Sequence, residues 1–109
     1  GKLSKALQSF EQALAEQRKS LGKDHPNIAS TIGIVGLVLT DQDKIPEALE
    51  ALEESLRMKR TMLGDDHPSV SAPLCNIGGL HSKQGNHAEA LLSLEEALLS
   101  LEEALLSLE

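Results

Sequence analysis

The sequence predicts an all-α fold, a solenoid of antiparallel helix pairs, and a long internal repeat carries that prediction. The segment Leu21-Gly22-Lys23-Asp24-His25-Pro26-Asn27-Ile28-Ala29 returns as Leu63-Gly64-Asp65-Asp66-His67-Pro68-Ser69-Val70-Ser71, which sets a period of 42 residues. The residues between the two copies show no strand-like alternation of apolar and polar side chains. A period of that length without strands is typical of stacked helix pairs, because each pair buries its apolar face against the next.

Prolines and glycines divide the chain into five predicted helices. Pro26, Pro46 and Pro68 stand at helix starts, where the missing N–H is not needed. Gly22, Gly64 and Gly85 stand where a helix ends, because glycine adopts a left-handed conformation at little cost. The predicted helices are Leu3 to Leu21, Pro26 to about Thr40, Pro46 to Leu63, Pro68 to about Gln84, and His87 to about Glu109.

Two local features of these helices lead to further expectations. Asp24 and Asp66 precede their prolines and are expected to accept hydrogen bonds from first-turn amides. Pro73 lies beyond the first turn of its predicted helix, which costs roughly 3 kcal/mol in an ordinary helix interior. Gly78 and Gly79 in the same helix cost about 1 kcal/mol each relative to alanine. We therefore expect this helix to depend on its neighbours.

The 109 residues, of which 40% are hydrophobic, form one small domain. Residues 1–21 are interpreted as the second helix of a partial repeat, residues 22–63 as one repeat, and residues 64–109 as a second repeat with a heptad-like C-terminal helix. Because the chain begins in mid-repeat, we expect it to be a piece of a longer solenoid.

Charge and composition argue against several classes of function. The formal net charge is −7, and residues 86–109 carry six glutamates and no Lys or Arg. A basic stripe is absent, and one Phe without Tyr or Trp offers no stacking platform, so nucleic-acid binding is not expected. No apolar run approaches the ~18 residues of a membrane span, which favours a soluble, cytoplasmic protein without membrane insertion. The single cysteine, Cys75, allows no intrachain disulfide.

Residues with metal-binding or catalytic chemistry do not converge in the sequence. His25 and His67 recur in equivalent loops without a second ligand at helical spacing, so they are interpreted as turn and capping residues. The run Asp41 to Glu47 lacks the central glycine and terminal glutamate of a calcium loop. Cys75 and His81 would lie on helix faces about 120° apart. The sequence predicts no catalytic residue, metal or cofactor.

The repeated phrase Leu-Gly-x-Asp-His-Pro-x-(Ile/Val)-(Ala/Ser), with Glu-Ala-Leu-x-x-(Leu/Phe)-Glu-(Glu/Gln)-(Ala/Ser)-Leu elsewhere in the unit, resembles the long tetratricopeptide repeats of kinesin light chains. The resemblance covers residues 5 to about 98. It implies a right-handed superhelical solenoid whose paired helices approach closely through small residues. In this sequence those residues are Gly36 and Gly78 in first helices and Ala6, Ala48 and Ala90 in second helices.

The resemblance also implies a function in protein recognition through a concave groove lined by the first helices. The implied groove residues are Ser30, Gly33, Ile34, Leu37, Thr40, Ala72, Cys75, Asn76, Gly79 and Lys83. In the family that the sequence resembles, an asparagine at the Asn76 position commonly holds the backbone of an extended peptide, because its amide can both donate and accept. The paired Lys and Asn that clamp a terminal carboxylate in some relatives are missing. The expected partner is a protein or peptide. The alternative is an assembly subunit packed permanently in a larger complex.

The C-terminal helix repeats the heptad Ala-Leu-Leu-Ser-Leu-Glu-Glu. Its leucines at alternating spacings of three and four form an apolar stripe, which is typical of helix-to-helix packing. The stripe comprises Leu91, Leu94, Leu98, Leu101, Leu105 and Leu108. We expect it to pack first on the preceding helices and then on another chain or a further repeat.

Overall fold

The computed structural model describes residues 1–108, and all regular secondary structure in this range is helical. The helices are α1 (Lys2–Leu21), α2 (Pro26–Asp41), α3 (Ile45–Leu63), α4 (Ser71–Lys83) and α5 (His87–Leu106), with a 3₁₀ turn (Pro68–Val70) before α4. Five helices without a strand in the described range confirm the predicted fold class. No helix of residues 1–108 combines the length and the hydropathy that a membrane span needs.

The last helix is shorter than expected. It ends at Leu106, and the Ser107 hydroxyl donates to the carbonyl of Ala104 at 2.8 Å. At 1.5 Å per residue, its 20 residues extend about 30 Å. The helix was expected to reach about Glu109, and this is wrong for Ser107 and Leu108, which follow the end of the helix. Glu109 itself lies outside the described residues.

Short connections make successive helices antiparallel. Residues 42–44 join α2 to α3, and residues 84–86 join α4 to α5. Gly85 has a φ of 80°, and Asp43, one period earlier, has a φ of 61°. Aspartate tolerates this left-handed conformation better than most residues with a Cβ. The same turn is thus built from glycine in one repeat and aspartate in the other.

Histidines, rather than aspartates, cap the helices that follow the repeated loops. His25 Nδ1 accepts from the Asn27 amide at 3.1 Å, and His67 Nδ1 accepts from the Ser69 amide at 3.1 Å. The expectation that Asp24 and Asp66 cap these helices is wrong. With proline at the first helical position, the residue directly before it is the N-cap, and its side chain reaches the next free amide. The interpretation of both histidines as capping residues is confirmed.

The fourth predicted helix begins differently because of Pro73. A regular α-helix starts at Ser71 rather than Pro68, so Pro73 is its third residue and lies in the first turn. The N–H groups of the first turn have no hydrogen-bond partner within the helix, so a proline there removes no helical hydrogen bond. The free-energy cost expected for a proline in the helix interior therefore does not arise. Because the proline ring clashes with the carbonyl four residues earlier in an α-helix, the preceding turn is 3₁₀ instead. The equivalent position of α2 is Thr31, which is not a proline, and α2 is a regular α-helix from Pro26. The Thr31 side-chain hydroxyl donates to the carbonyl of Asn27 at 3.0 Å.

The core lies on both sides of α3. One cluster joins α2 and α3 and comprises Ile28, Ala29, Ile32 and Met58. The other joins α3 to the 3₁₀ turn, α4 and α5 and comprises Ala48, Leu52, Leu56, Val70, Leu74, Ile77, Leu80 and Ala97. Burial of α3 against both neighbours makes the two helix pairs one continuous structure, as expected for stacked repeats.

Two glycines allow the paired helices to approach closely. A Cβ on Gly36 would lie 2.8 Å from Leu52 Cγ, and a Cβ on Gly78 would lie 3.0 Å from Leu94 Cγ and 3.3 Å from the Ala90 carbonyl. Ala48 and Ala90 are buried on the facing helices. The expectation that these small residues serve packing is confirmed.

The face of α5 that packs on the preceding helices is made of small residues. Ala90, Ala97 and Ser100 are buried, and the Ser100 hydroxyl donates to the carbonyl of His67 at 3.2 Å. Because alanine and serine recur with the same heptad as leucine, only one of the two stripes can face α4. Because α4 and α5 approach closely at Gly78, the stripe of alanine and serine faces α4.

The predicted leucine stripe is therefore mostly exposed in the chain. Leu94, beside Gly78, remains 45% exposed and Leu98 is 58% exposed. Leu91, Leu101, Leu105 and Leu108 are exposed as well. The expectation that the stripe packs on the preceding helices is wrong apart from the Leu94 contact. Packing against another chain or a further repeat stays a prediction.

Candidate partner-binding groove

A small cavity of about 180 Å³ lies where α2, α3 and α4 meet. Side chains from two first helices converge there, although they are far apart in sequence. Six of the ten expected groove residues line the cavity, namely Ser30, Gly33, Ile34, Leu37, Ala72 and Asn76. The structure therefore places this part of the expected groove at the junction of successive helix pairs.

The other four expected groove residues lie outside this cavity. Thr40 is half-buried, and its hydroxyl donates to the carbonyl of Gly36 at 2.9 Å, so it is engaged within its own helix. Cys75, Gly79 and Lys83 are exposed on α4. They can contact a partner only if it extends beyond the cavity.

Residues of α3 also line the cavity, although the groove was expected to be lined by the first helices. Leu52, Ser55 and Lys59 reach it from α3, and Pro73 reaches it from α4. Leu52 and Ser55 are almost completely buried, and the Ser55 hydroxyl donates to the carbonyl of Ala29 at 2.7 Å. The spacing of residues 52, 55 and 59, which are three and four apart, places them on one face of the helix. This spacing could have indicated that they line a common surface.

Lys59 is the cation of this cavity. Partial burial lowers the pKa of its ammonium group because the charged form loses hydration. Among residues 1–108, no carboxylate lies within 4.0 Å of it. The neighbouring Arg60, in contrast, pairs with Glu96 and lies 4.0 Å from Asp65. Lys59 therefore offers an uncompensated positive charge to a ligand in the groove.

The lining of the cavity combines apolar side chains with one amide group. Ile34 and Leu37 are 39% and 43% exposed, and the Asn76 amide is partly accessible. The volume is below the roughly 300–1,000 Å³ of ordinary small-molecule sites. Within residues 1–108, no three His, Cys, Asp or Glu side chains are grouped so as to hold a metal ion.

A second charged feature lies beside the 3₁₀ turn. Glu103 of α5 faces Asp66, and the hydrogen bond and repulsion between the two carboxyl groups raise the pKa of Glu103. Asp66 thus has an electrostatic role here instead of the capping role expected from sequence. Two adjacent carboxylates repel when both are ionised, and the repulsion falls when one is protonated.

This pair gives a prediction for the pH dependence of stability. Because the folded-state pKa of Glu103 is raised above its ordinary value of 4.5, its stabilising contribution is present below that value and is lost as pH rises through the folded-state pKa. Glu103→Gln should therefore raise Tm at pH 7, and the difference from wild type should shrink below pH 4.5. Thermal unfolding by circular dichroism measures both effects. Glu102→Gln is the charge-matched control, and an equal gain in that variant would contradict the specific contact.

The comparisons with known proteins agree with the observed fold. The tetratricopeptide repeat family model matches residues 1–61 and 33–103. The fold is also that of a kinesin light chain-like protein of Podosopora anserina with nearly identical TPR-like repeats, and of a variant of that protein. Each of these two crystal structures has a TM-score of 0.81 and 24% sequence identity, and the match covers 94% of this chain and 49% of the other. The chain thus spans about half the length of these relatives.

A search of the curated proteins found no match. Tetratricopeptide repeats are generally protein–protein interaction modules on a non-catalytic scaffold. Since the family model matches nearly the whole chain, the protein belongs to the tetratricopeptide repeat family.

Proposed function

We propose that the chain is a non-catalytic interaction module that binds an extended segment of a partner protein in the groove of α2 and α4. The observation that supports this most directly is the convergence of Ile34, Leu37 and Asn76 on one cavity. These side chains come from two successive first helices. A segment lying across them would contact both repeats at once.

The chemistry of the lining suggests what the segment contains. Ile34 and Leu37 provide apolar surface for a hydrophobic side chain. The Asn76 amide can donate to a backbone carbonyl and accept from a backbone amide. Lys59, which has no carboxylate partner in the described residues, can bind an acidic side chain. We therefore expect a preferred segment in which an apolar residue stands next to Asp or Glu.

The test begins with peptides selected on the chain from a random peptide display library. The affinity of the best peptide is measured by fluorescence anisotropy for wild type and for the double variant Asn76→Asp, Leu37→Glu. We expect at least a tenfold loss, because a repelling charge enters the apolar floor and the amide donor is removed. Helicity should be unchanged, since neither side chain is buried.

Two further variants make the result specific. Leu92→Glu makes the same leucine-to-glutamate change as Leu37→Glu, but at a leucine that is 62% exposed on α5, and it should leave the affinity unchanged. Lys59→Gln should weaken binding of a peptide with an acidic residue more than binding of its amide counterpart. Unchanged affinity in the double groove variant would show that the groove is not the binding surface.

A further inference from the structure

The outer face of α5 carries leucines where the outer face of α3 is polar. Leu92 and Leu99 each follow a buried alanine by two residues, which is about 200° around the helix, so they point away from α4. They are 62% and 55% exposed. Their counterparts one period earlier are Glu50 and Arg57, which are exposed as well. The outer face therefore changes from polar in α3 to apolar in α5.

A further helix pair stacked on α5 would not cover these leucines. The helices α4 and α5 follow α3 in the stack, yet Glu50 and Arg57 stay exposed. A pair packed on α5 in the same way would leave Leu92 and Leu99 exposed, because they occupy the equivalent positions. The counterpart of Leu94, in contrast, is buried beneath α4. Exposure of Leu92 and Leu99 is thus a property of the outer wall.

Leu99 borders a cavity of about 350 Å³ on this outer wall. The cavity lies between α3, the loop before the 3₁₀ turn, and α5, and the buried Leu74 of α4 lines it as well. Leu74 and Leu99 give the cavity an apolar part. Its volume lies within the roughly 300–1,000 Å³ of ordinary ligand-binding pockets. The cavity therefore has room for a long side chain of a partner next to the leucines.

The polar lining of this cavity is mostly acidic. It includes four carboxylates, those of Asp65, Asp66, Glu96 and Glu103. The cation beside them, Arg60, is already paired with Glu96 and lies 4.0 Å from Asp65. Asp66 and Glu103 face each other, and within residues 1–108 no Lys or Arg lies within 4.0 Å of either carboxylate. A cationic side chain from a partner would compensate their charge.

The spacing of the outer leucines favours a helical occupant. Leu92, Leu99 and Leu106 are seven residues apart, and Leu106 is 65% exposed. Positions seven apart drift by only about 20° around a straight α-helix, so the three side chains form a line about 21 Å long. A helix with apolar residues in the same heptad register keeps contact along such a line, and charges beside the line select the partner. Here the neighbouring carboxylates select a basic helix.

A second copy of the chain does not supply this basic helix. Two α5 helices packed along the same line would bring their glutamates together, and like charges oppose such pairing. The α1 helix carries several Lys and Arg residues, but its leucines at heptad spacing, Leu7 and Leu14, are half-buried. Leu14 packs on the core cluster that joins α2 and α3. The occupant is therefore a helix of a different protein.

The outer leucine surface consists of Leu92, Leu99, Leu106 and the adjoining acidic cavity. We propose that this surface binds an amphipathic helix of another protein. The apolar residues of that helix, repeated in heptads, lie on the leucines, and one of its Lys or Arg side chains lies between Asp66 and Glu103. The surface is on the outer wall and the groove is lined by the first helices, so this proposal and the proposed function can fail independently.

Three synthetic peptides serve as probes. Two carry leucine at the first and fourth positions of three heptads, with lysine at the flanking positions in one and glutamate in the other. The third has the composition of the lysine peptide in an order that breaks the heptads. Fluorescence anisotropy is measured at concentrations where sedimentation shows each peptide to be monomeric. The heptad lysine peptide should bind at least tenfold more tightly than either of the others.

Matched leucine variants locate the contact. Leu92→Gln with Leu99→Gln should weaken binding of the heptad lysine peptide at least tenfold, and helicity should be kept because glutamine is also a good helix former. Leu98→Gln with Leu105→Gln removes two leucines of the same helix that are also seven residues apart and are 58% and 65% exposed. This control pair should change the affinity less than threefold.

Matched charge variants test the acidic cavity. Asp66→Asn with Glu103→Gln should weaken binding of the heptad lysine peptide at least threefold. Glu11→Gln with Glu16→Gln removes two exposed carboxylates of α1 and should leave the affinity within twofold of wild type. Equal effects of the two pairs would show that net charge alone attracts the peptide and would overturn the placement of its lysine.

Several results would overturn the proposed partner. Absence of measurable binding, or equal affinities for the heptad lysine peptide and its reordered control, would exclude a heptad contact. Equal losses in the two leucine pairs would indicate non-specific apolar binding. No loss in Leu92→Gln with Leu99→Gln would show that these leucines serve as helix formers alone. A dimer in sedimentation that this variant abolishes would make a second copy the occupant.

Discussion

Leu52→Ala is expected to lower the free energy of unfolding by about 2–5 kcal/mol, the usual range for a buried leucine whose removal leaves a cavity. Leu52 is 1% exposed. It lies against Gly36 and in the cluster that joins α3 to α4, so its loss weakens both the helix pair and the contact between pairs. Urea unfolding followed by circular dichroism measures the change.

The repeat provides a matched control for this substitution. Leu94 occupies the equivalent position and lies against Gly78 in the same way, but it is 45% exposed. Leu94→Ala removes the same atoms from a site that is already half in water, so its cost should be clearly smaller. Equal losses in the two variants would contradict the view that α4 covers Leu52 while Leu94 lacks such a cover.

The fold was predictable because its signals are local. Pro26 and Pro68 restrict the backbone around them, and Gly22 and Gly64 adopt positive φ at the two helix ends, so these residues mark boundaries without knowledge of the tertiary structure. The 42-residue period then fixes the order of stacking. The sequence assigned a capping role to both Asp66 and His67, which are adjacent, and the geometry shows that the histidine ring is the group that reaches the amide.

The orientation of α5 could not be read from the sequence in the same way. Its heptads contain an alanine and serine stripe and a leucine stripe with the same period. Hydrophobicity alone favours burial of leucine, whereas the close approach at Gly78 requires small residues. That approach is a tertiary property, because it depends on how α4 and α5 cross.

Part of the groove was predictable from the sequence, and the rest depends on how the helices pack. Asn76 and Leu37 lie on first helices, and the resemblance to the family indicated which face they share. Lys59 lies on a second helix and reaches the cavity only through the packing of α3 between α2 and α4. Its charge is the feature that most restricts the chemistry of the proposed partner segment.

Gly36→Val is expected to destabilise the fold by about 1–3 kcal/mol through overpacking. A Cβ at this position would lie 2.8 Å from Leu52 Cγ and 2.9 Å from Leu52 Cδ2, and the buried Leu52 has little room to move. For a domain of this size, Tm should fall by roughly 4–8 °C for each kcal/mol.

A Cβ on the exposed Gly79 would meet no neighbouring element within 4 Å, so Gly79→Ala should instead stabilise by about 0.5–1 kcal/mol.

A double-variant cycle separates the steric contact from helix propensity. If the cost of Gly36→Val arises from Leu52, it should be markedly smaller when Leu52 is already alanine, because the clashing atoms are gone. Thermal and urea unfolding of wild type, both single variants and the double variant give the coupling energy. Additive costs would show that the valine acts through backbone propensity alone, and the close approach of α2 and α3 would then not be what requires glycine at position 36.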